Sequence, residues 1–193
     1  MKNYLFAIVC FIFVFYGCTT AIDSISLSEK YMPLSIGNKW AYGNVSFGVL
    51  EKGKYSYLKE VVSIDSIQGK KYYRIKVTSL GKDSVRRYDY YQRISNDTLF
   101  SLYRDPENDT YSESIEGIFS LKKDESVVIH SDDKGWFVRT MKVESKNKDK
   151  IEFLFNTSHT SDGQYWVVYE KGIGIIKSYS IWGGIKLLDY KIN

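Results

Sequence analysis

Apolar and polar residues alternate with a period of two through much of this chain. In residues 70–80, Tyr73, Ile75 and Val77 alternate with Tyr72, Arg74, Lys76 and Thr78, the rhythm of a strand with one wet face. Trp136, Val138 and Thr140 oppose Phe137, Arg139 and Met141, and Ile151, Phe153 and Phe155 oppose Glu152, Leu154 and Asn156. Turn formers punctuate these runs at Gln68-Gly69, Gly81 to Asp83, Ser95 to Asp97, Asp132 to Gly135, Lys146 to Lys150, Asp162-Gly163 and Gly183-Gly184. Strands separated by such breakers every 8 to 12 residues or so read as hairpins. The pattern therefore predicts an all-β antiparallel meander of about nine to eleven strands. No segment carries a long three-four periodicity, although Ser26 to Tyr31 and Ser112 to Phe119 could each form a short helical turn. So many strands must cover their edges as a half-barrel, a barrel or a sandwich.

The first residues follow a different pattern. Lys2 precedes an unbroken apolar run from Tyr4 to Tyr16, which ends in Gly17-Cys18. A short positive region, an apolar core and a small residue form a secretory signal. A small residue directly before a cysteine resembles the lipobox, in which that cysteine is lipidated and becomes the first mature residue. Phe15 and Tyr16 stand where lipoboxes usually carry Leu and a small residue. The competing reading is an uncleaved anchor, because the run approaches the roughly 18 to 20 residues that span a bilayer. The expected organisation is a signal peptide over 1–17, the lipidated Cys18 and a tether over 18–30, and one β-rich domain over 31–193. That address is the bacterial cell envelope, with the outer membrane the expected site of the lipid anchor.

Cys10 and Cys18 are the two cysteines of the chain, so the mature domain has no thiol for a disulfide, a zinc cluster or a nucleophile. Its stability must come from its core. Seventeen Tyr, two Pro and no Ala after Ala41 favour strands over helices. Charge adds little: 27 basic and 23 acidic residues are interleaved along the length, whereas nucleic-acid binders gather theirs on one face. Nucleic acid is excluded as a partner. A transmembrane barrel is excluded as well, since Arg86, Arg87, Asp89 and Arg93 fall on both faces of one strand, where a lipid-facing wall needs one face free of charge.

Two blocks carry a resemblance. Tyr31 to Tyr42 (YMPLSIGNKWAY) resembles the opening of a group of bacterial secreted and lipid-anchored domains, and Gly172 to Tyr190 resembles their closing hairpin with its Gly-Ile-Gly turn. The resemblance supports address and fold and transfers no catalytic residue. In physical terms, Pro33 and Gly37 shape an entry turn, Trp40 and Tyr42 share one strand face, and Gly172 and Gly174 permit backbone conformations that other residues avoid. Trp40 is expected to be a buried anchor.

Chemistry is sparse. His130 and His159 each have nearby aspartates (Asp132 and Asp133; Asp162), but without the tight ligand spacing of a metal motif. Asp105, Glu107, Asp109 and Glu116 stand at the spacings of a calcium loop, yet Thr110 replaces the required Gly and Pro106 interrupts the start. No metal and no cofactor is expected. No Gly-x-Ser-x-Gly elbow occurs. Tyr88, Tyr90, Tyr91, Trp136, Trp166 and Trp182 could line a sugar platform or an acyl pocket, although each is expected to be core first. The functional expectation is a non-catalytic binding or structural module with an envelope protein or glycan partner. A carrier of an apolar ligand and a polysaccharide-acting enzyme are the alternatives.

Overall fold

The computed structural model describes residues 26–46, 49–50, 55–81, 84–105, 109–160 and 163–193. Cys18 and the apolar run before it lie outside them. One short helix, α1 (Leu27–Tyr31), precedes thirteen strands: β1 (Lys39–Ser46), β2 (Val49–Leu50), β3 (Tyr57–Ile67), β4 (Lys70–Leu80), β5 (Val85–Ser95), β6 (Thr98–Asp105), β7 (Thr110–Ile118), β8 (Ser126–Ser131), β9 (Val138–Lys146), β10 (Lys150–Thr157), β11 (Gln164–Glu170), β12 (Gly174–Ser180) and β13 (Gly183–Lys191). The all-β antiparallel meander is as the sequence predicts. The count exceeds nine to eleven, and residues 112–119, expected as a possible helical turn, instead lie largely in β7, which pairs along its length with β6. A ladder of main-chain hydrogen bonds outweighs the weak local preference of that segment.

One sheet runs in the order β7-β6-β5-β4-β3-β1-β13-β12-β11-β10-β9-β8, with β2 on β1. The two end strands are neighbours in sequence, and the sheet curls until they face each other, giving a nearly closed barrel. Side chains from both halves of the sheet then meet inside it: Trp40, Tyr42, Val61, Ile75 and Leu99 pack in one core with Met141, Val143, Ile151, Phe153, Phe155, Val167 and Tyr169. Turn chemistry sets the hairpins. Gln68 and Gly69 both take positive φ, at 51° and 75°, as the tight turn between β3 and β4 requires.

A barrel with this many strands is wider than side chains from opposite walls can fill. At one end the chain supplies the missing material. Ser26 caps α1 in a capping box with Glu29, and the helix is tied to the β5–β6 turn by Leu27 N donating to Asp97 Oδ1 (3.0 Å) and Ser28 Oγ donating to Asn96 O (2.7 Å). Tyr31 then stacks on Phe119 at 5.1 Å, and Phe119 meets Phe153 and Tyr169 edge-on. Ser26 to Lys30, which the sequence alone assigns to a tether, is thus docked on the barrel.

Trp40 and Tyr42 enter the same core, with Trp40 2% exposed. Both reach over the neighbouring β13 to the start of β12, where Trp40 Nε1 donates to Ile173 O and Tyr42 Oη to Ile175 O. Gly174 makes that approach possible. Its φ is +103°, and a Cβ there would lie 3.1 Å from Met32 Sδ and 3.3 Å from Trp40 Nε1.

Candidate functional site

Away from α1 no described segment fills the barrel, and polar residues join the aromatic ones in its inward-facing rows. Lys59 on β3, Tyr90 and Gln92 on β5, Ser101 and Tyr103 on β6 and Glu116 on β7 line a cavity of about 400 Å³, with Ile175 on the far wall. A second cavity of about 530 Å³ runs along the seam between β7 and β8, lined by Ser112, Ser114, Ile129, Phe137, Arg139, Thr157 and Tyr165 among others. Both belong to the end of the barrel opposite α1.

Register brings these groups inward. Gln92 pairs with Ser101 and Ser101 with Ser114, so three polar residues share one face across three strands. A bulge between Leu99 and Phe100 on one side and Gly117 and Ile115 on the other leaves Glu116 unpaired in the ladder, and its carboxylate turns into the lumen. Tyr103 Oη (3.2 Å) and Ser114 Oγ (2.9 Å) both donate to Glu116 Oε1. Burial, with Glu116 second, pushes the Tyr103 phenol up to about 12.

Lys59 has a different setting. Its Nζ lies over the rings of Tyr42 (5.4 Å) and Tyr90 (5.5 Å). Burial pulls the ammonium below the usual lysine value, against the opposing influence of Tyr88, Glu116 and Tyr57. Across the lumen Arg139 is already engaged: it donates to Tyr165 Oη and stands over the rings of Phe155 and Tyr165.

The six aromatics singled out from sequence do not form one platform, and none of them is buried. Tyr88 and Tyr90 face the lumen, Tyr91 faces outward, and Trp166 is half-buried on the outer wall in a stack with Tyr179 at 5.3 Å. Trp136 (69% exposed) and Trp182 (61%) project at the open end. The expectation that most would be core fails for positional reasons: Tyr90 packs against the core only in part, Tyr88 lies in the wide lumen, strand alternation sends Tyr91 and Trp166 outward, and Trp136 and Trp182 occupy turns. Trp40 carries the core role instead.

His130 and His159 are also at the open end, but their rings rest on Phe137 and Trp136, both at 5.9 Å. Asp132 Oδ1 accepts from Trp136 N, and Asp162 lies outside the described residues. In the acidic loop, Glu107 lies outside the described residues, Asp109 pairs with Arg104 (2.7 Å), and Glu116 points into the lumen. Among the described residues no group of three or more His, Cys, Asp or Glu could hold a metal ion.

Sequence reasoning missed the lumen residues Lys59, Gln92 and Ser101, and placed Glu116 in an acidic loop rather than in the lumen. The signal lay in their parity: Lys59 sits in the same register as Tyr57 and Val61, and Ser101 in that of Leu99 and Tyr103, so each is a polar residue set into an inward row.

A different charged cluster occupies the outer wall. Glu113 binds Arg93 through two contacts (2.5 and 3.0 Å) and Lys70 (3.0 Å), and also accepts from Tyr72 Oη. The Arg93 guanidinium, foremost among these partners, lowers the Glu113 carboxyl to about 2.

No family model and no curated protein matches the chain. Among solved structures it is similar to a "putative lipoprotein" from Parabacteroides distasonis, with a TM-score of 0.47 and 10% identity over 83% of this chain and 98% of that one. It is also similar to a "putative exported protein with YmcC-like fold" from Bacteroides fragilis, with a TM-score of 0.47 and 10% identity over 84% of this chain and 99% of that one. Neither likeness assigns a residue or an activity.

Proposed function

We propose that the chain is a lipid-anchored protein of the bacterial cell envelope, and that its barrel is a non-catalytic binding module with its open end turned away from the membrane. One observation carries the orientation: the chain enters the fold at the plugged end, where α1 docks on the β5–β6 turn. The stretch from Cys18 to Ser26 spans at most about 30 Å when extended, so a lipid on Cys18 holds that end near the bilayer. The outer wall suits water, with ion pairs Lys39–Glu60 and Arg74–Asp89 on it; a lipid-facing wall would exclude them.

The geometry weighs against the alternatives. An acyl carrier needs an apolar cavity, whereas the apolar half of this interior is filled by rings and the open half sets Lys59, Gln92, Ser101 and Glu116 among tyrosines and Ile175. A glycosidase needs paired carboxylates flanking a cleft. The strongly shifted carboxylate, Glu113, is instead held in an ion pair on the outer wall.

The test has two parts. Wild-type protein should carry the mass of acyl chains and partition into the detergent phase, and Cys18→Ser should abolish both. In liposomes containing spin-labelled lipid, a fluorophore on Asp149→Cys at the plugged end should be quenched more than one on Trp182→Cys. Unlipidated wild type, or stronger quenching at position 182, would overturn the proposal.

A further inference from the structure

We infer that the open half of the lumen is a binding site for a small, flat organic monoanion, with Lys59 holding its charge and the Tyr90 and Tyr103 rings flanking its body. The inference rests on the reading of the barrel as a binding module and names what it binds. Lys59 Nζ faces ring surfaces and, among the described residues, no carboxylate lies within ion-pair distance of it. Of the two carboxylates that line the cavity, Glu116 is occupied by Tyr103 and Ser114 and Asp89 pairs with Arg74. A cation partly withdrawn from water without a hydrogen-bonded counter-charge is costly, and an anion entering the cavity supplies one.

A second orphan lies in the same wall. Gln92 is 3% exposed; its Nε2 donates to Ser101 Oγ (3.2 Å), while its Oε1 has no partner. Buried polar atoms are nearly always satisfied, and an exception calls for an explanation. A cavity that sets an ammonium without an ion pair and an amide oxygen without a hydrogen bond among aromatic rings fits an aromatic anion better than an apolar chain. Its volume of about 400 Å³ falls in the range of small-molecule sites. The tyrosines favour a flat body, since rings stack in offset or edge-on contact. Glu116 limits the charge to one, because a dianion would meet a carboxylate across the lumen.

The experiment uses the full lipidated chain in phosphatidylcholine nanodiscs, with empty nanodiscs as the blank. Equilibrium dialysis compares 2-naphthoate with 2-naphthamide, its uncharged counterpart. Wild type should bind naphthoate saturably and naphthamide at least about ten-fold more weakly. Lys59→Gln should erase that preference and Lys59→Arg should retain it. Glu116→Gln, which removes the facing negative charge, should tighten naphthoate and leave naphthamide unchanged, so the inference stays testable if Lys59→Gln fails to fold. Equal binding of the two probes by wild type would overturn the assigned ligand class while the binding module stands. No saturable binding of either probe would overturn the lumen as the site. Neither result touches anchoring or orientation, which the Cys18 and quenching measurements test separately.

Discussion

The two ends of the barrel are built from the same strands and reach opposite outcomes. At the plugged end Tyr31, Trp40, Phe119, Phe153 and Tyr169 are all buried and in mutual ring contact or hydrogen-bonded to the start of β12. At the open end Tyr88 and Tyr103 are about half exposed, and polar residues line the space between the walls. The difference is a matter of supply. A wide sheet cannot fill its own interior; residues 27–38 fill one end, and the other keeps a lumen. Stability should therefore reside at one end and recognition at the other.

Trp40→Ala would break the comparison most severely. Truncating a buried Trp costs about 3 to 5 kcal/mol, a large share of the 5 to 15 kcal/mol or so typical of a domain, and here it also strands Ile173 O. The denaturation midpoint should drop strongly without any ligand present. Wild-type stability in that variant would relocate the core.

Next in size is the Glu113 cluster, which tests whether the outer wall adds stability of its own. The folded carboxyl sits at about 2 against an ordinary 4.5, so its contribution is complete above about pH 4.5 and is lost as pH falls toward 2. Glu113→Gln should cost about 1 to 2 kcal/mol at neutral pH. The gap between the melting temperatures of variant and wild type should close across that acid window, and a gap independent of pH would discharge the ion pair of this role.

The smallest effect is expected at the open rim. Trp182→Ser should change stability by less than about 0.5 kcal/mol, measured by chemical denaturation. A loss comparable with that of Trp40→Ala would mean that the two ends share one core and that the contrast between them is false.

Much of the fold is legible in the sequence, and less of the site. Ile151, Phe153 and Phe155 read as one face of a strand and all three are fully buried, because period two alone decides facing once a strand pairs on both edges. Tyr72 shows where that logic ends. It lies on the outer face, opposite Ile75 and Val77 in parity, yet is 1% exposed, covered by Arg93 and Glu113 from strands that no local pattern links to it. The lumen is illegible for a related reason. Lys59 and Glu116 are far apart in sequence and become neighbours of one cavity only through the curl of the sheet and a bulge whose position no turn residue announces. Ser26 to Tyr31 is the reverse case: a capping box is local chemistry, so the helix is visible, although its docking on Asn96 and Asp97 is not.

The pairing of β1 with β13 has a consequence for how the molecule forms. Every other ladder joins strands near one another in sequence, whereas Lys39 pairs with Lys191 and Asn193 N donates to Asn38 Oδ1. Contacts between such distant segments carry the largest loop-closure entropy and form late. Until the last strand arrives, β1 holds β3 on one side and offers bare amides and carbonyls on the other. During folding, that waiting edge is where two nascent copies of the chain would pair with each other.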